Sequence, residues 1–146
     1  MKAKILLTAL LGLFLMTGAS MAETGWHTDW AEAAKESKKT NKPILIDFTG
    51  SDWCGWCIKL KEEVFDTPQF KKWAKDTVVL LEVDFPRGKK QSEAVKEKNK
   101  KLAMKYQIEG FPTIMFVDHT GKALGRYGYD EGGPDVWTKK AEDLIK

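Results

Sequence analysis

A chain of 146 residues with 24 basic and 21 acidic side chains, and no repeat or low-complexity tract, is one domain of ordinary size with room for a real core. Its formal net charge of +3 excludes a general attraction for nucleic acid or an anionic membrane, and lysines scattered among acids read as a solvated face. Two cysteines are too few for the small secreted domains that rely on several bridges.

The first residues, MKAKILLTALLGLFLMTGASMA, have a positive start at Lys2 and Lys4, an almost wholly apolar run from Ile5 to Met16, and then small residues. This is the pattern of a secretory signal peptide. Ser20 and Ala22 fit the small-residue positions before a cut, which places cleavage after Ala22. Thr17 and Ala19 offer a second position, after Ala19. The apolar run of about a dozen residues is short of the ~20 needed to span a bilayer. No Cys follows the small residues to carry a lipid anchor. The remaining residues 23–146 are expected as a single domain. Losing Lys2 and Lys4 leaves 22 basic against 21 acidic side chains, a balance of +1. Export moves the chain to a compartment where disulfides persist. The expected location is the periplasm, with secretion as the alternative.

Asp29-Trp30-Ala31-Glu32 reads as a capping box, an acceptor side chain with Glu three residues on. Trp30, Ala33, Ala34 and Ser37 follow at helical spacing, and the helix ends in the polar run Lys38 to Lys42, before Pro43. Ile44-Leu45-Ile46-Asp47-Phe48 is a nearly continuous apolar run, as in a strand buried on both faces. Thr49 to Trp53 is a loop. A helix follows from Cys54 to about Phe65, with Ile58, Leu60, Lys61 and Val64 permitting a buried stripe. Thr67 and Pro68 restart it, since Thr caps and Pro suits the first helical position. Phe70, Trp73 and Ala74 form its apolar face.

Val78 to Val83 is the next strand and Phe85 to Gln91 a polar loop. Ser92 caps a helix reaching Tyr106, with Val95, Leu102, Ala103 and Tyr106 inward. Thr113 to Val117 is a strand, Asp118 to Gly121 a tight turn, and Ala123 to Tyr127 pairs back as a hairpin. Pro134-Asp135 opens the last helix, whose Val136, Trp137, Lys140, Ala141 and Leu144 share a face. The order α-β-α-β-α-β-β-α makes an α/β domain with helices on both faces of a mixed sheet. Strands separated by helices imply parallel crossovers, and the last two form an antiparallel pair. Trp26, Trp30, Trp73 and Trp137 are expected as core residues.

The only cysteines stand two residues apart, in SDWCGWCI. Attachment of a c-type haem needs His directly after the second Cys, and Ile58 sits there. A structural zinc site wants four ligands, usually in two spaced pairs, and His27 and His119 do not form one. A plain bridge closing so short a loop stabilises by about 2 kcal/mol at best, so this is a poor place for a staple. The fourth reading is a redox pair. Cys54 lies at the start of a helix, where free N–H groups and the positive helix end favour its thiolate. Cys57 lies three residues on, within reach. A mixed disulfide formed at Cys54 is then resolved by Cys57 at very high effective concentration.

At these residues the chain resembles the thioredoxin-fold family, over nearly all of residues 40–146. KPILIDF followed by WCGWC resembles the family's strand and active-site helix. KYQIEGFPTIMFVDHTGK resembles its later Gly-x-Pro-Thr segment and hairpin. The fuller run DFTGSDWCGWCIKLKEEVFDTPQF, with LLEVDFP after it, is similar to small exported bacterial thioredoxin-like proteins. The resemblance implies a cis bond at Phe111–Pro112, with Pro112 against the cysteines and the backbone of Phe111 offered to an extended substrate peptide by strand addition. It also implies a buried carboxylate below the second Cys, matched by Asp47. A carboxylate in an apolar strand has a raised pKa and can take and return the proton of Cys57 through a water. The alternative for Asp47 is a strand-end residue bonded to nearby backbone.

The chain departs from the family pattern in three ways. The loop before Cys54 is one residue longer than in ordinary thioredoxin. Leu80 takes the place of the usual Lys near the buried Asp, with Glu82 nearby. Trp56 replaces the usual Pro between the cysteines.

Gly55 and Trp56 carry no charge to stabilise the thiolate, which favours a disulfide reductase over an oxidase. An isomerase would add a dimerisation domain for which there is no room, so a monomer is expected. Trp53, Gly55 and Trp56 are expected beside the substrate, with Trp53 and Trp56 as an apolar rim. Packing of Trp53 on the loop around residue 50 is the alternative. Whether the loop at Tyr127 to Gly133 lies next to the cysteines is open. Expected partners are disulfide-containing protein substrates and a membrane thiol-disulfide electron donor, with no nucleic acid, no cofactor and no metal. The competing functions are a non-catalytic peptide-binding module with an inert bridge, and a metal carrier.

Overall fold

The computed structural model describes residues 25–146. The leader, both candidate cleavage sites and the first residues of the expected domain lie outside the described residues. The elements are β1 (Trp26–His27), α1 (Trp30–Thr40), β2 (Ile44–Thr49), α2 (Gly55–Leu60), a π-helical turn (Lys61–Phe65), α3 (Pro68–Thr77), β3 (Val79–Asp84), α4 (Glu93–Lys105), β4 (Thr113–Val117), β5 (Ala123–Tyr127) and α5 (Gly133–Leu144). The anticipated caps form. Asp29 accepts the N–H of Ala31, Thr67 that of Phe70 and Ser92 that of Val95.

The sheet order is β1-β3-β2-β4-β5. The apolar run of β2 is central and all six of its residues are buried. Residues Ile44, Ile46 and Phe48 face one way, with Val79, Leu81 and Val83 of β3, under α1 and the end of α4. Leu45, Asp47 and Thr49 alternate to the other face. There Leu45 joins Leu60, Val64, Phe65, Phe70, Ile114, Phe116, Trp137 and Ala141 in a second core. Trp26 and Trp73 pack against that core and Trp30 against the first, as expected of structural tryptophans.

Three features differ from the sequence expectation. The strand β1 was not foreseen; its two residues pair in parallel with Leu80 and Leu81. The helix expected from Cys54 to Phe65 widens after Leu60, where the N–H of Asp66 reaches back to the carbonyl of Lys61. Fewer degrees per residue bring both Val64 and Phe65 round to the face of Leu60. The third correction is direction: β4 runs antiparallel to β2, although a helix separates it from β3. The end of α4 is tied to the hairpin turn, because Tyr106 Oη donates to the Gly121 carbonyl at 2.9 Å. The chain therefore leaves α4 at the far end of the sheet. It climbs back through residues 107–112 before β4 descends. That return places Phe111–Pro112 beside the carboxyl end of β2, because Thr113 pairs with Phe48.

Five residues of the expected inward faces, Ile58, Lys61, Val95, Val136 and Lys140, are exposed. The first half of α4 stands clear of the sheet, and its buried edge begins at Asn99, whose side-chain amide donates to the Asp84 carbonyl at 2.9 Å. No described helix is long and apolar enough to cross a membrane.

Trp137 joins the second core together. It is fully buried, touches Phe65, Phe70, Trp73, Phe116 and Tyr127, and donates its indole N–H to the Gly128 carbonyl. Trp137→Ala is expected to cost about 3–5 kcal/mol, read as a lower midpoint in urea denaturation.

Candidate functional site

The strand β2 ends at Thr49 and the chain turns tightly, with the N–H groups of Trp53 and Cys54 both bonded to the Gly50 carbonyl. Cys54 keeps an extended backbone and is the N-cap of α2. Its Sγ accepts the N–H of Cys57 at 3.2 Å, the position a Ser or Asp oxygen takes at other helix starts. No acidic residue lies in the first turn of α2 to oppose a negative sulfur. Cys54 and Cys57 are joined as a disulfide with Cα atoms 5.2 Å apart. They are 7% and 5% exposed, and Gly55 between them lies open at the surface.

The loop before Cys54 is held by the carboxyl end of β3 and by residues 85–88. Asp84 accepts from the N–H and hydroxyl of Ser51. Asp52 accepts the N–H of Arg87 at 2.9 Å and that of Gly88 at 2.7 Å, bonds that keep its carboxyl below the ordinary range. The indole of Trp53 donates to the Phe85 carbonyl at 2.7 Å. One edge of that ring fills the space over Gly50, where an added Cβ would lie 2.4 Å away. The Arg87 guanidinium lies over it at 3.7 Å, and Phe111 meets it edge-on at 5.9 Å. Trp53 is thus packed on the loop around residue 50 and at the same time abuts Phe111. The Phe111–Pro112 bond is cis, as the resemblance implied.

Trp56 is 56% exposed. Its ring lies 5.1 Å from that of Tyr129, and the Lys59 ammonium stands 5.2 Å from each. Tyr129 Oη donates to Glu63 at 2.7 Å. The loop after β5 therefore packs through Tyr129 on the tryptophan that stands between the cysteines in sequence. Sequence patterning left the place of this loop open, and it gave no sign of the parts taken by Asp52, Asp84, Phe85 and Arg87. Those four act through contacts more than 30 positions away in the chain. His27 is bonded to Glu36 of α1 and His119 lies in the exposed hairpin turn, so neither joins the cysteines.

Asp47 points to the face of the sheet covered by α2, the π turn and α3. Its Oδ1 is buried with no hydrogen-bond partner, which does not fit a strand-end Asp tied to backbone through that atom. The parallel register puts Glu82 directly beside it, and Leu80 beside Leu45. Burial pushes the Asp47 carboxyl well above the usual carboxylate range, and the neighbouring charges of Glu82 and Asp84 push it further. Burial likewise raises Glu82, with Asp84 adding to it, while Lys89 and Lys61 pull the other way. A cavity of about 630 Å³ opens onto these two carboxyls, with Leu80, Trp26, Phe70 and Lys61 among its walls.

Residues 30–133 match the family described as thioredoxin-like domain. The disulfide bond reductase DsbH of Chlamydia pneumoniae is 39% identical over 125 residues, which cover 86% of this chain and 75% of that protein. The thioredoxin-related protein DsbJ of the same organism is 34% identical over 130 residues, 86% of this chain but only 37% of DsbJ. A solved structure of a DsbH oxidoreductase matches with a TM-score of 0.78 at 39% identity, covering 82% of this chain and 83% of that one.

The raised Asp47 has a consequence for stability. The folded chain holds this proton more tightly than the unfolded chain does, so ionisation opposes folding. The contribution is complete below the ordinary carboxylate value of about 4 and is lost as pH rises through the raised folded value. Asp47→Asn removes it. Thermal denaturation of the oxidised protein from about pH 4 to about pH 9 is expected to show the variant gaining on wild type as pH rises, with the gap closing in acid.

Proposed function

The chain belongs to the thioredoxin-like family, as a thiol-disulfide oxidoreductase, and we propose that it works there as an exported protein disulfide reductase. The observation that carries the direction is the helix cap. Cys54 Sγ is held by one backbone N–H and an uncharged first turn, with Gly55 and Trp56 between the cysteines. Such a thiolate is favoured over free cysteine but lacks the added cation that makes a strong oxidant. The relative named a disulfide bond reductase supports the same direction.

In the reduced protein the Cys54 thiolate attacks one sulfur of a substrate disulfide. The substrate S–S bond breaks, and the departing sulfur takes a proton. Cys57 then gives its proton to Asp47 through a water and attacks Cys54 Sγ. The mixed disulfide breaks, the second substrate thiol leaves, and the two electrons have passed from the cysteine pair to the substrate. The substrate lies extended along the backbone of Phe111–Pro112, beside Gly55, with Trp53 and Trp56 as flanking apolar surface. Trp56 is the more available of the two, since the N–H and one edge of Trp53 are already used. The signal peptide delivers the chain to the periplasm. There a membrane thiol-disulfide relay returns the electrons, and the chain works as a monomer.

Two measurements test this. Reduction of a disulfide-containing test protein is expected to vanish in Cys54→Ala, whereas Cys57→Ala accumulates mixed disulfides. If both variants keep full activity, the mechanism is wrong. Equilibration with glutathione is expected to give a potential more negative than about −220 mV. A value above about −150 mV would make the protein an oxidant and reverse the proposed direction.

A further inference from the structure

We propose that Glu82 is a proton-relay residue, passing the proton that Asp47 takes from Cys57 out to solvent through the cavity that both carboxyls line. The inference rests on the oxidoreductase reading and adds to it a second carboxyl and a route.

Three observations meet here. Asp47 Oδ1 is buried without a partner, so a proton placed on this carboxyl has no protein acceptor bonded to that atom. The β2–β3 register sets Glu82 beside Asp47 on the same face, while the side opposite, on β4, carries Ile114. Both carboxyls line one cavity of about 630 Å³, room for several waters at roughly 30 Å³ each. Glu82 is half-buried and Asp47 buried, so Glu82 is the member nearer to solvent. The family resemblance places a lysine at the position of Leu80. Here that place is apolar, and a carboxyl stands beside the buried acid instead.

The charged surroundings come from every element packed on the cavity. Asp84 lies on β3 itself and Lys89 in the loop beyond it. The π turn contributes Lys61, with Asp66 just after it, and these two pair with each other at 2.7 Å. Lys71 and Lys75 come from α3 and Glu36 from α1, whereas β1 contributes only the indole of Trp26. The cations stand at the walls, and the carboxyl Glu82 is what adjoins Asp47.

The step balances. The Cys57 S–H bond breaks and its proton moves by water to Asp47. The Cys57–Cys54 bond forms as the Cys54–substrate bond breaks. The proton then passes from Asp47 by water to Glu82 and on to bulk solvent, which supplies the one taken up by the substrate thiolate. Reversal of the same transfers returns a proton to Cys57 when the pair is reduced again.

The test uses the reduced full chain and a fluorescent disulfide-linked peptide in single turnover, following release of the second thiol across pH. Glu82→Gln is expected to lower the plateau rate of that release by about tenfold, less than the roughly hundredfold or more supplied by a group that exchanges the proton with the reacting atom directly. Its Cys54 alkylation rate should stay that of wild type. Small carboxylic acid buffers should restore the rate, since the cavity is open to them. Glu82→Asp should keep most of the plateau, and that variant carries the test if Glu82→Gln does not fold. Superimposable profiles for wild type and Glu82→Gln overturn the proposal. A shifted acid limb with an unchanged plateau, or a slow variant that buffer does not rescue, does the same. A wild type that never reduces the peptide defeats the oxidoreductase reading itself, which is a different outcome from any of these.

Discussion

A sulfur at the start of a helix, accepting the N–H three residues on, is the interaction on which the rest of this molecule depends. It asks two things of the fold. The chain must leave a rigid strand and turn into α2 within a few residues, and the turn must not drift. The six buried residues of β2 supply the rigidity. The turn is pinned from outside, by Asp84 on Ser51, by Asp52 on the backbone of Arg87 and Gly88, and by the Trp53 indole on Phe85. Gly50 leaves the space that the indole fills, so the loop and its tryptophan are fitted to each other.

The same strand carries the least comfortable group in the protein. Asp47 lies in an otherwise apolar run, with carboxyls as neighbours and an unpaired oxygen. Nothing in packing explains it, because an apolar residue of similar size would fill the position without penalty. The proposed proton exchange with the resolving thiol gives it a use, and the cavity it lines gives it a route to solvent. The fold accepts a loss of stability at high pH in return for a carboxyl that holds its proton well above the usual carboxylate range.

Much of this was legible in the chain because the signals are local. The caps at Asp29, Thr67 and Ser92, the continuous run of β2, the paired cysteines and the Phe111–Pro112 segment each declare themselves within a few residues. The unread parts depend on residues far apart. The direction of β4 is set by how α4 ends against the hairpin turn, not by the content of either element. The π turn arises because Val64 and Phe65 must face one core together. The pairing of Asp47 with Glu82 follows from strand register, and the loop clamp from contacts between residues 50–53 and 84–89. Exposure of Ile58, Val95 and Val136 shows the limit of periodicity, which tells which residues share a face but not whether anything lies against it.

The pH dependence of Cys54 alkylation in the reduced protein tests the central claim most directly. A sulfur held at the start of α2 should ionise well below the value of about 8.5 for free cysteine, so that alkylation is already fast near neutral pH. Ionisation at or above about 8.5 would mean that the helix start does nothing for the thiolate, and the account built on it would fall.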